Sequence, residues 1–153
     1  MTKSPNNNIE NIYNLYTAND SFENKWSKNN AGNRLIHEER DNKIKQLFNL
    51  HSLNLNNKKI LEIGCARGSI IKLLKKLGGR ENNIYGIDLR AAALGHAKNR
   101  FPNAHFSKMN ASALQYSNRS FDLVNVFTIL SSIINPRIRE KVCQEIYRVL
   151  KPG

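Results

Sequence analysis

The stretch Lys59-Ile-Leu-Glu-Ile-Gly-Cys-Ala-Arg-Gly-Ser69 predicts a buried strand that runs into a glycine-pinned turn and then into a helix. Gly64 and Gly68 bracket the turn; glycine adopts a positive φ readily and lets a ligand approach the backbone closely. Glu62 stands two residues before Gly64, where a buried carboxylate needs donors nearby because burying an unpaired charge is costly. The stretch therefore predicts a binding turn for a ligand that carries positive charge.

Two known ligand-binding motifs and one purely structural explanation can be compared with this turn. A dinucleotide turn has the pattern G-x-G-x-x-G after an apolar strand, but the corresponding positions here are Gly64, Ala66 and Ser69. A P-loop requires Gly-Lys followed by Ser or Thr, whereas Gly68 is followed directly by Ser69. A plain strand-turn-helix without a ligand remains open for this segment taken alone.

Four segments, in order, resemble the motifs of class I S-adenosylmethionine-dependent methyltransferases of the small-molecule, type 11-like branch. They are Leu61–Gly68, Asn83–Asp88, Ser107–Ala111 with the following Ser120–Phe127, and Ile146–Gly153. The resemblance implies S-adenosyl-L-methionine as cofactor and a small-molecule or lipid-like methyl acceptor. A non-catalytic cofactor-binding or interaction domain, or an RNA methyltransferase, are the alternatives.

The same resemblance implies a set of cofactor-binding residues. These are Glu62, Gly64, Cys65, Ala66, Gly68, Asp88, Leu89, Asn110, Ala111, Phe127 and Arg34. Asp88, at a strand end about twenty residues after the turn, is in the position to accept the ribose hydroxyls. Asn110 stands where an acid is common, and its amide oxygen still accepts from the adenine amino group. Ala66 places a Cβ inside the turn, which predicts a negative φ at this residue.

The acceptor side of the site is assigned by resemblance to a segment that precedes the cofactor domain in some bacterial small-molecule methyltransferases. In that setting Arg34 pairs with the methionine carboxylate, and Trp26 and Tyr16 form a lid. The catalytic residue stays unknown, with His37 and Tyr16 as the candidates. Packing for Trp26 and a solvated surface position for Arg34 are the structural alternatives.

Strand and helix patterns alternate along the chain, which predicts an α/β fold with an open, Rossmann-like parallel sheet and helices on both faces. The predicted strands lie near 59–63, 84–88, 104–109 and 121–127, in the spatial order 3-2-1-4. The predicted helices lie near 34–50, 68–77 and 91–100, with a last one that begins at Asn135-Pro136. Residues 1–33 are expected to form a tail and lid segment, and residues 34–153 the cofactor domain.

Composition limits the other function classes. The chain has 153 residues, 40% of them hydrophobic, and no apolar run of membrane-spanning length. Its net charge of +12 suits a nucleic-acid partner, but the basic residues are dispersed and no RNA-binding module is recognisable, so a small-molecule acceptor is preferred. Cys65 and Cys143 lack metal-ligand spacing, which predicts no metal site and a reduced, cytoplasmic protein.

The carboxyl-terminal motif raises a question about the sheet edge. In the family that the sequence resembles, Arg148–Gly153 leads into a fifth strand, so the fold is expected to be truncated after the helix that follows strand four. Strand four would then be an uncovered apolar edge, which favours pairing with a second copy or with a partner. Its apolar residues are Phe121, Leu123, Val124, Val126 and Phe127.

Overall fold

The computed structural model describes residues 30–153, and the chain divides into two compact units between Leu53 and Asn54. The proposed lid residues Tyr16 and Trp26 lie outside the described residues. In the first unit, helix α1 spans Ala31–Leu50, and the Asn30 side chain caps it by accepting from the backbone N–H of Gly32. The helix predicted near 34–50 is therefore confirmed, and it begins three residues earlier because Asn30 supplies the cap.

The second unit contains the parallel sheet. Its elements are β1 (Ile60–Ile63), α2 (Ser69–Lys76), a 3₁₀ turn (Glu81–Asn83), β2 (Ile84–Asp88), α3 (Ala91–Arg100), β3 (His105–Lys108), β4 (Leu123–Val126), α4 (Ile129–Ser132) and α5 (Pro136–Val149). All three strand pairings are parallel, and the order β3-β2-β1-β4 is the predicted one. The turn after β1 therefore lies at the carboxyl edge of a central strand, where open α/β sheets bind ligands.

Strand β1 is buried on both faces, as a central strand of a parallel sheet is. Ile60, Leu61 and Ile63 are at most 1% exposed, as expected for the continuous apolar run of a central parallel strand. On one side, the core around Leu61 and Ile63 includes Phe121 and Val149, which bring the start of the last strand and the end of α5 together. The core thus holds the strand tips that carry the candidate site in fixed positions.

Helix α5 begins as predicted from the Asn-Pro pair. The Asn135 side chain accepts from the backbone N–H groups of Arg137 and Ile138, and Pro136 occupies the first helical position, where its missing N–H costs nothing. Val142 and Val149 are buried, so one side of the helix faces the core. Helix α4 was not predicted, since its four residues are too few to show a helical period.

Strand β4 is an edge of the sheet, but the expectation of an uncovered strand is wrong at Phe121. The backbone N–H of Phe121 donates to the Val149 carbonyl (3.0 Å), and the N–H of Lys151 donates to the Phe121 carbonyl (2.9 Å). Phe121 is fully buried, whereas Leu123–Val126 are half-buried. The segment that follows α5 turns back along the sheet and pairs with the chain just before β4, which a helix-then-turn pattern did not reveal.

Candidate functional site

The turn after β1 is fastened to the end of β2. The backbone N–H groups of Gly64 and Cys65 both donate to the Ile87 carbonyl, at 2.8 and 2.9 Å. Within the turn, the N–H of Gly68 donates to the Cys65 carbonyl at 2.8 Å, and α2 begins at the next residue. The turn is therefore continuous with the sheet and places its backbone at the carboxyl edge.

Both glycines of the turn are required for conformation and for packing. Gly64 has φ +73° and Gly68 has φ +79°, values that L-residues adopt only with strain. A Cβ on Gly64 would overlap the side chain of Ile129, and one on Gly68 would lie 2.6 Å from the Phe101 ring. The sequence argument for positive φ is thus confirmed, while the space beside each glycine is filled by an apolar side chain of this chain.

Ala66 contradicts the prediction that its φ is negative. Its φ is +45°, in the left-handed region, which costs a residue with a Cβ roughly 1–2 kcal/mol. The conformation persists because it aims the Ala66 N–H at Oδ2 of Asp88, 2.9 Å away. The turn therefore stores local strain that its bond to the strand tip of β2 helps to offset.

Asp88 lies at the end of β2, 8% exposed, with several donors around its carboxylate. Besides Ala66, it accepts from the backbone N–H of Arg90 (2.9 Å) and from the Arg90 guanidinium (Nε at 3.1 Å to Oδ1). Helix α3 has Arg90 as its N-cap, with no side-chain cap bond, so Asp88 does not cap that helix. The carboxylate instead joins the β1 turn, the β2 tip and an arginine that the sequence analysis had not singled out.

Glu62 and Asn125 are neighbours in the register of β1 and β4, which places their side chains on the same face of the sheet. Glu62 is 2% exposed, so a carboxylate lies inside the domain next to the turn. The Nδ2 atom of Asn125 is buried and finds no acceptor among the residues that the structure describes. A buried donor of this kind calls for an explanation, and a ligand atom would supply one.

Cys65 is buried close to the carboxylates of Asp88 and Glu62. Burial raises the pKa of its thiol well above the ordinary value, and the nearby carboxylates of Asp88 and Glu62 raise it further. The side chain is 4% exposed and stays a neutral thiol at neutral pH. Its role at the turn is therefore to fill space beside Gly86, where a Cβ would lie 2.9 Å from its sulfur.

The chain after β3 brings Asn110 and Ala111 to the same edge. The backbone N–H of Met109 donates to the Asp88 carbonyl at 3.2 Å, so the loop leaves the sheet beside Asp88. The side-chain oxygen of Asn110 accepts from the N–H of Ser112 at 3.0 Å, which is an Asx-type turn. An amide oxygen has two lone pairs, so Asn110 keeps one acceptor position for a ligand.

Phe127 follows β4 and is half-buried next to a second strained residue. Thr128 has φ +62°, an outlier for a β-branched side chain, and its carbonyl accepts from the hydroxyls of Ser131 and Ser132. Helix α4 begins directly after it and carries Ile129 into the space beside Gly64. Strained non-glycine residues thus follow β1 and β4 on the same edge, as is common at functional sites.

The structure brings most of the candidate residues to one sheet edge. These residues lie at the carboxyl ends of the four strands or directly after them. They are Glu62, Gly64, Cys65, Ala66, Gly68, Asp88, Leu89, Asn110, Ala111 and Phe127. Arg34 and His37 lie on α1, in the amino-terminal unit, and their roles stay predictions. No cluster of three potential metal ligands occurs within residues 30–153, and no helix in that range is long and apolar enough to cross a membrane.

Comparison with known proteins gives a family for this arrangement. A family model described as a methyltransferase domain matches residues 60–153, the stretch that runs from β1 to Gly153. This chain belongs to that methyltransferase family. The family resemblance and the Rossmann-like fold predicted from the sequence are therefore confirmed.

Individual relatives of this methyltransferase domain cover similar stretches. The chain is 38% identical over 117 residues to a ubiquinone/menaquinone biosynthesis C-methyltransferase, UbiE, of Rickettsia prowazekii, covering 71% of this chain and 46% of that protein. A solved S-adenosylmethionine-dependent methyltransferase of Methanosarcina mazei is 31% identical, with a TM-score of 0.61, over 68% of this chain and 52% of that one. A methyltransferase of Clostridium acetobutylicum, 21% identical with a TM-score of 0.65 over 76% of this chain and 47% of that one, shares the fold. The chain spans about half the length of the curated relatives it matches.

The residues at the sheet edge fit the cofactor of such methyltransferases. S-adenosylmethionine carries a carboxylate, ribose hydroxyls and amino groups. The edge offers a buried amide donor in Asn125, acceptor carboxylates in Glu62 and Asp88, and an amide acceptor in Asn110. The edge thus holds groups of the kind that the ribose hydroxyls, the amino groups and the carboxylate of this molecule would need.

Proposed function

We propose that this chain binds S-adenosylmethionine at the carboxyl edge of its sheet and supplies the cofactor-binding part of a methyltransferase for a small-molecule or lipid-like acceptor. The observation that carries the proposal is the bond between the turn and Asp88: the Ala66 N–H and the Asp88 carboxylate join two strand tips into one surface. The family match over residues 60–153 supports the same cofactor. The cofactor, when bound, supplies a methyl group on a sulfonium, which is already activated for transfer.

The chain's own residues then have mainly binding and orienting roles. Asp88 accepts from the ribose hydroxyls, Asn110 accepts from the adenine amino group, and Glu62 accepts from the α-amino group of the methionine portion. Fixed donors and acceptors contribute by holding the reacting group in one orientation, which is where much of the rate enhancement of a displacement reaction comes from. The buried edge also limits the access of water to the sulfonium.

Arg90 adds a condition to cofactor binding. Its guanidinium donates to both oxygens of Asp88, at 3.1 and 3.4 Å, and so occupies acceptor positions that the ribose hydroxyls need. Binding therefore requires the Arg90 side chain to turn away, while the backbone bond from the Arg90 N–H at 2.9 Å remains in place. The backbone donors keep the carboxylate oriented during this exchange.

The names of the relatives support a small-molecule acceptor, and the charge of this chain supports a second candidate. Relatives of this chain carry the name ubiquinone/menaquinone biosynthesis C-methyltransferase, which points to a quinol-like ring as the acceptor. An RNA acceptor is the second candidate, because the net charge of +12 favours binding to phosphates. The lid residues Tyr16 and Trp26 and the pairing of Arg34 with the methionine carboxylate belong to this proposal as well.

Calorimetry and an acceptor screen test the proposal in sequence. The chain is titrated with S-adenosylhomocysteine, S-adenosylmethionine and NAD, and binding of the first two but not NAD is expected. Binding of NAD alone would contradict the cofactor assignment. A cofactor with a labelled methyl group is then offered with isoprenoid-substituted phenols and, separately, with total RNA; label in RNA alone would reverse the preferred acceptor, and label in neither would favour a non-catalytic binding domain.

A further inference from the structure

A group of polar contacts away from the cofactor edge holds the loop that follows Asn110. This 110–118 loop connects β3 to the approach of β4 and contains no strand or helix. Several of its backbone groups are nevertheless hydrogen-bonded by the side chains of Arg148 and Glu145, which lie near the end of α5. Neither residue was singled out as functional from the sequence.

Arg148 uses its whole guanidinium in this contact. Its Nη1 donates to the Tyr116 carbonyl (2.7 Å) and to Oδ1 of Asn118 (2.8 Å), and its Nη2 donates to the Leu114 carbonyl (2.8 Å). The guanidinium also forms a two-point pair with Glu145, at 2.7 Å from Nε and 2.8 Å from Nη2. Lysine has a single ammonium group and cannot reproduce this planar pattern.

Glu145 accepts a hydrogen bond from the loop, whereas Arg148 donates to it. Its Oε2 accepts from the backbone N–H of Leu114 at 2.6 Å, so the N–H and the carbonyl of Leu114 are both bound by side chains of α5. Leu114 is 6% exposed and belongs to the same buried cluster as Ile63 and Ile87, which lie in β1 and β2 beside the candidate site. The position of Leu114 is therefore determined by core packing and by charged hydrogen bonds together.

Leu114 is close to Asn110 in sequence and in structure. The N–H of Ala113 donates to the Asn110 carbonyl at 3.1 Å, and the N–H of Ser112 donates to the Asn110 side chain at 3.0 Å. Residues 110–113 thus form one hydrogen-bonded turn, and Leu114 follows it directly. A displacement of Leu114 should therefore be transmitted to Asn110 and Ala111 through Ala113, which is bonded to Asn110 and adjoins Leu114 in sequence.

We infer that Arg148, with Glu145, is a positioning residue that sets the orientation of Asn110 and Ala111 at the adenine side of the site. The inference rests on the proposed function, because it requires the cofactor's adenine to lie against those two residues. Within the part of the chain that the structure describes, the side chain of Arg148 donates hydrogen bonds to Glu145 and to the 110–118 loop, so Arg148 acts on the site through that loop. Loss of the contact should leave the β1 turn in place and loosen one side of the pocket.

The first test measures the loop without a ligand. Hydrogen exchange is compared for the full chain, for Arg148→Gln and for Arg139→Gln, an exposed arginine on α5 that serves as a charge-matched control. Arg148→Gln should speed exchange in residues 110–118 by about tenfold or more and leave β1 and β2 unchanged, while the control should resemble the parent. An equal loss of protection in β1 and β2 would show a purely structural role and overturn the inference. Arg148→Lys, which retains the charge, keeps the test available if the glutamine variant folds poorly.

The second test measures affinity for S-adenosylhomocysteine at a temperature where every variant is folded. Arg148→Gln should weaken binding by about tenfold, and Arg148→Lys by less. A double-mutant cycle should show that the effects of Arg148→Gln and Asn110→Ala are not additive, while those of Arg148→Gln and Glu62→Gln add. Unchanged affinity in Arg148→Gln, or additivity with Asn110→Ala, would overturn the inference alone; no binding by the parent chain would instead overturn the proposed function, and the cofactor-positioning role with it.

Discussion

The backbone N–H of Ala66 donates to Oδ2 of Asp88 at 2.9 Å, so the turn after β1 is joined to the tip of β2 by a hydrogen bond to a charged group. Two strands that are adjacent in the sheet are thereby linked beyond their regular ladder, at the edge where the cofactor is proposed to bind. The same bond stabilises the strained conformation of Ala66, where φ is +45°. Stability and ligand binding should therefore respond together to changes at these two residues.

Replacing the carboxylate tests that link. Asp88→Asn should weaken S-adenosylhomocysteine binding and lower the free energy of unfolding, because hydrogen bonds to charged groups contribute about 1.5–3 kcal/mol each. Calorimetry and chemical denaturation measure the two effects. Glu140→Gln, on the exposed side of α5, is the matched control and should change neither. A variant with parental affinity for the ligand would exclude Asp88 from the binding site.

Removing the Cβ of Ala66 should have the opposite effect on stability. Ala66→Gly relieves the left-handed strain and should raise the free energy of unfolding by about 1 kcal/mol. Ala92→Gly, at an exposed position in helix α3, should lower it by up to about 1 kcal/mol, because glycine is unfavourable in helices. Denaturation with the same protocol gives both values. Equal losses in the two variants would mean that φ at Ala66 is not positive in solution.

The two cysteines should differ in reactivity. Cys143 is exposed on α5, whereas Cys65 is 4% exposed and burial raises the pKa of its thiol far above the usual range. A disulfide reagent such as dithiobis-nitrobenzoate should titrate one thiol in the native protein at neutral pH and two in denaturant. Cys143→Ala should show no native reaction. Rapid modification of that variant would mean that the turn opens readily.

Acid should weaken the contact between α5 and the loop. Hydrogen bonds from Arg148 hold the pKa of Glu145 below its ordinary value of 4.5, and the bond from the Leu114 N–H lowers it further. A carboxyl group whose pKa is depressed by folding stabilises the fold fully above the unfolded pKa, and this contribution is lost as the pH falls through the folded pKa. Stability should therefore decline below about pH 4.5, with part of the decline due to Glu145.

Substitution of Glu145 separates its contribution to the pH dependence of stability from that of the other carboxyl groups. In Glu145→Gln the free energy of unfolding should be lower at neutral pH and should fall less steeply between about pH 4.5 and 2 than in the parent chain. Glu140→Gln, on the same helix, should keep the parental slope. Urea denaturation at a series of pH values supplies both slopes, and identical slopes for the parent and Glu145→Gln would rule out a depressed pKa.

Local patterns along the chain were sufficient for the main strands and helices. The apolar run of β1 and the Asn135-Pro136 start of α5 follow from burial and capping, which act over short stretches of sequence. The motif around Gly64 was recognisable for the same reason, since a positive φ at a strand end leaves few residue choices. The order 3-2-1-4, in contrast, was expected from the resemblance to the methyltransferase family.

Contacts between distant residues were decided by the tertiary structure. Ile129 fills the space beside Gly64, the segment after α5 pairs with Phe121, and Arg148 holds the 110–118 loop from thirty or more residues away. The left-handed conformation of Ala66 is a further case, because the local conformational preference of alanine disfavours it. The hydrogen bond to the carboxylate of Asp88, 22 residues later, offsets the cost of that conformation. Sequence by itself determined the main strands and helices, though not the four-residue α4, and the sheet edge where the site is expected. Packing between remote segments decided the geometry of that edge, because such contacts depend on the folded backbone and leave no periodic pattern in the chain.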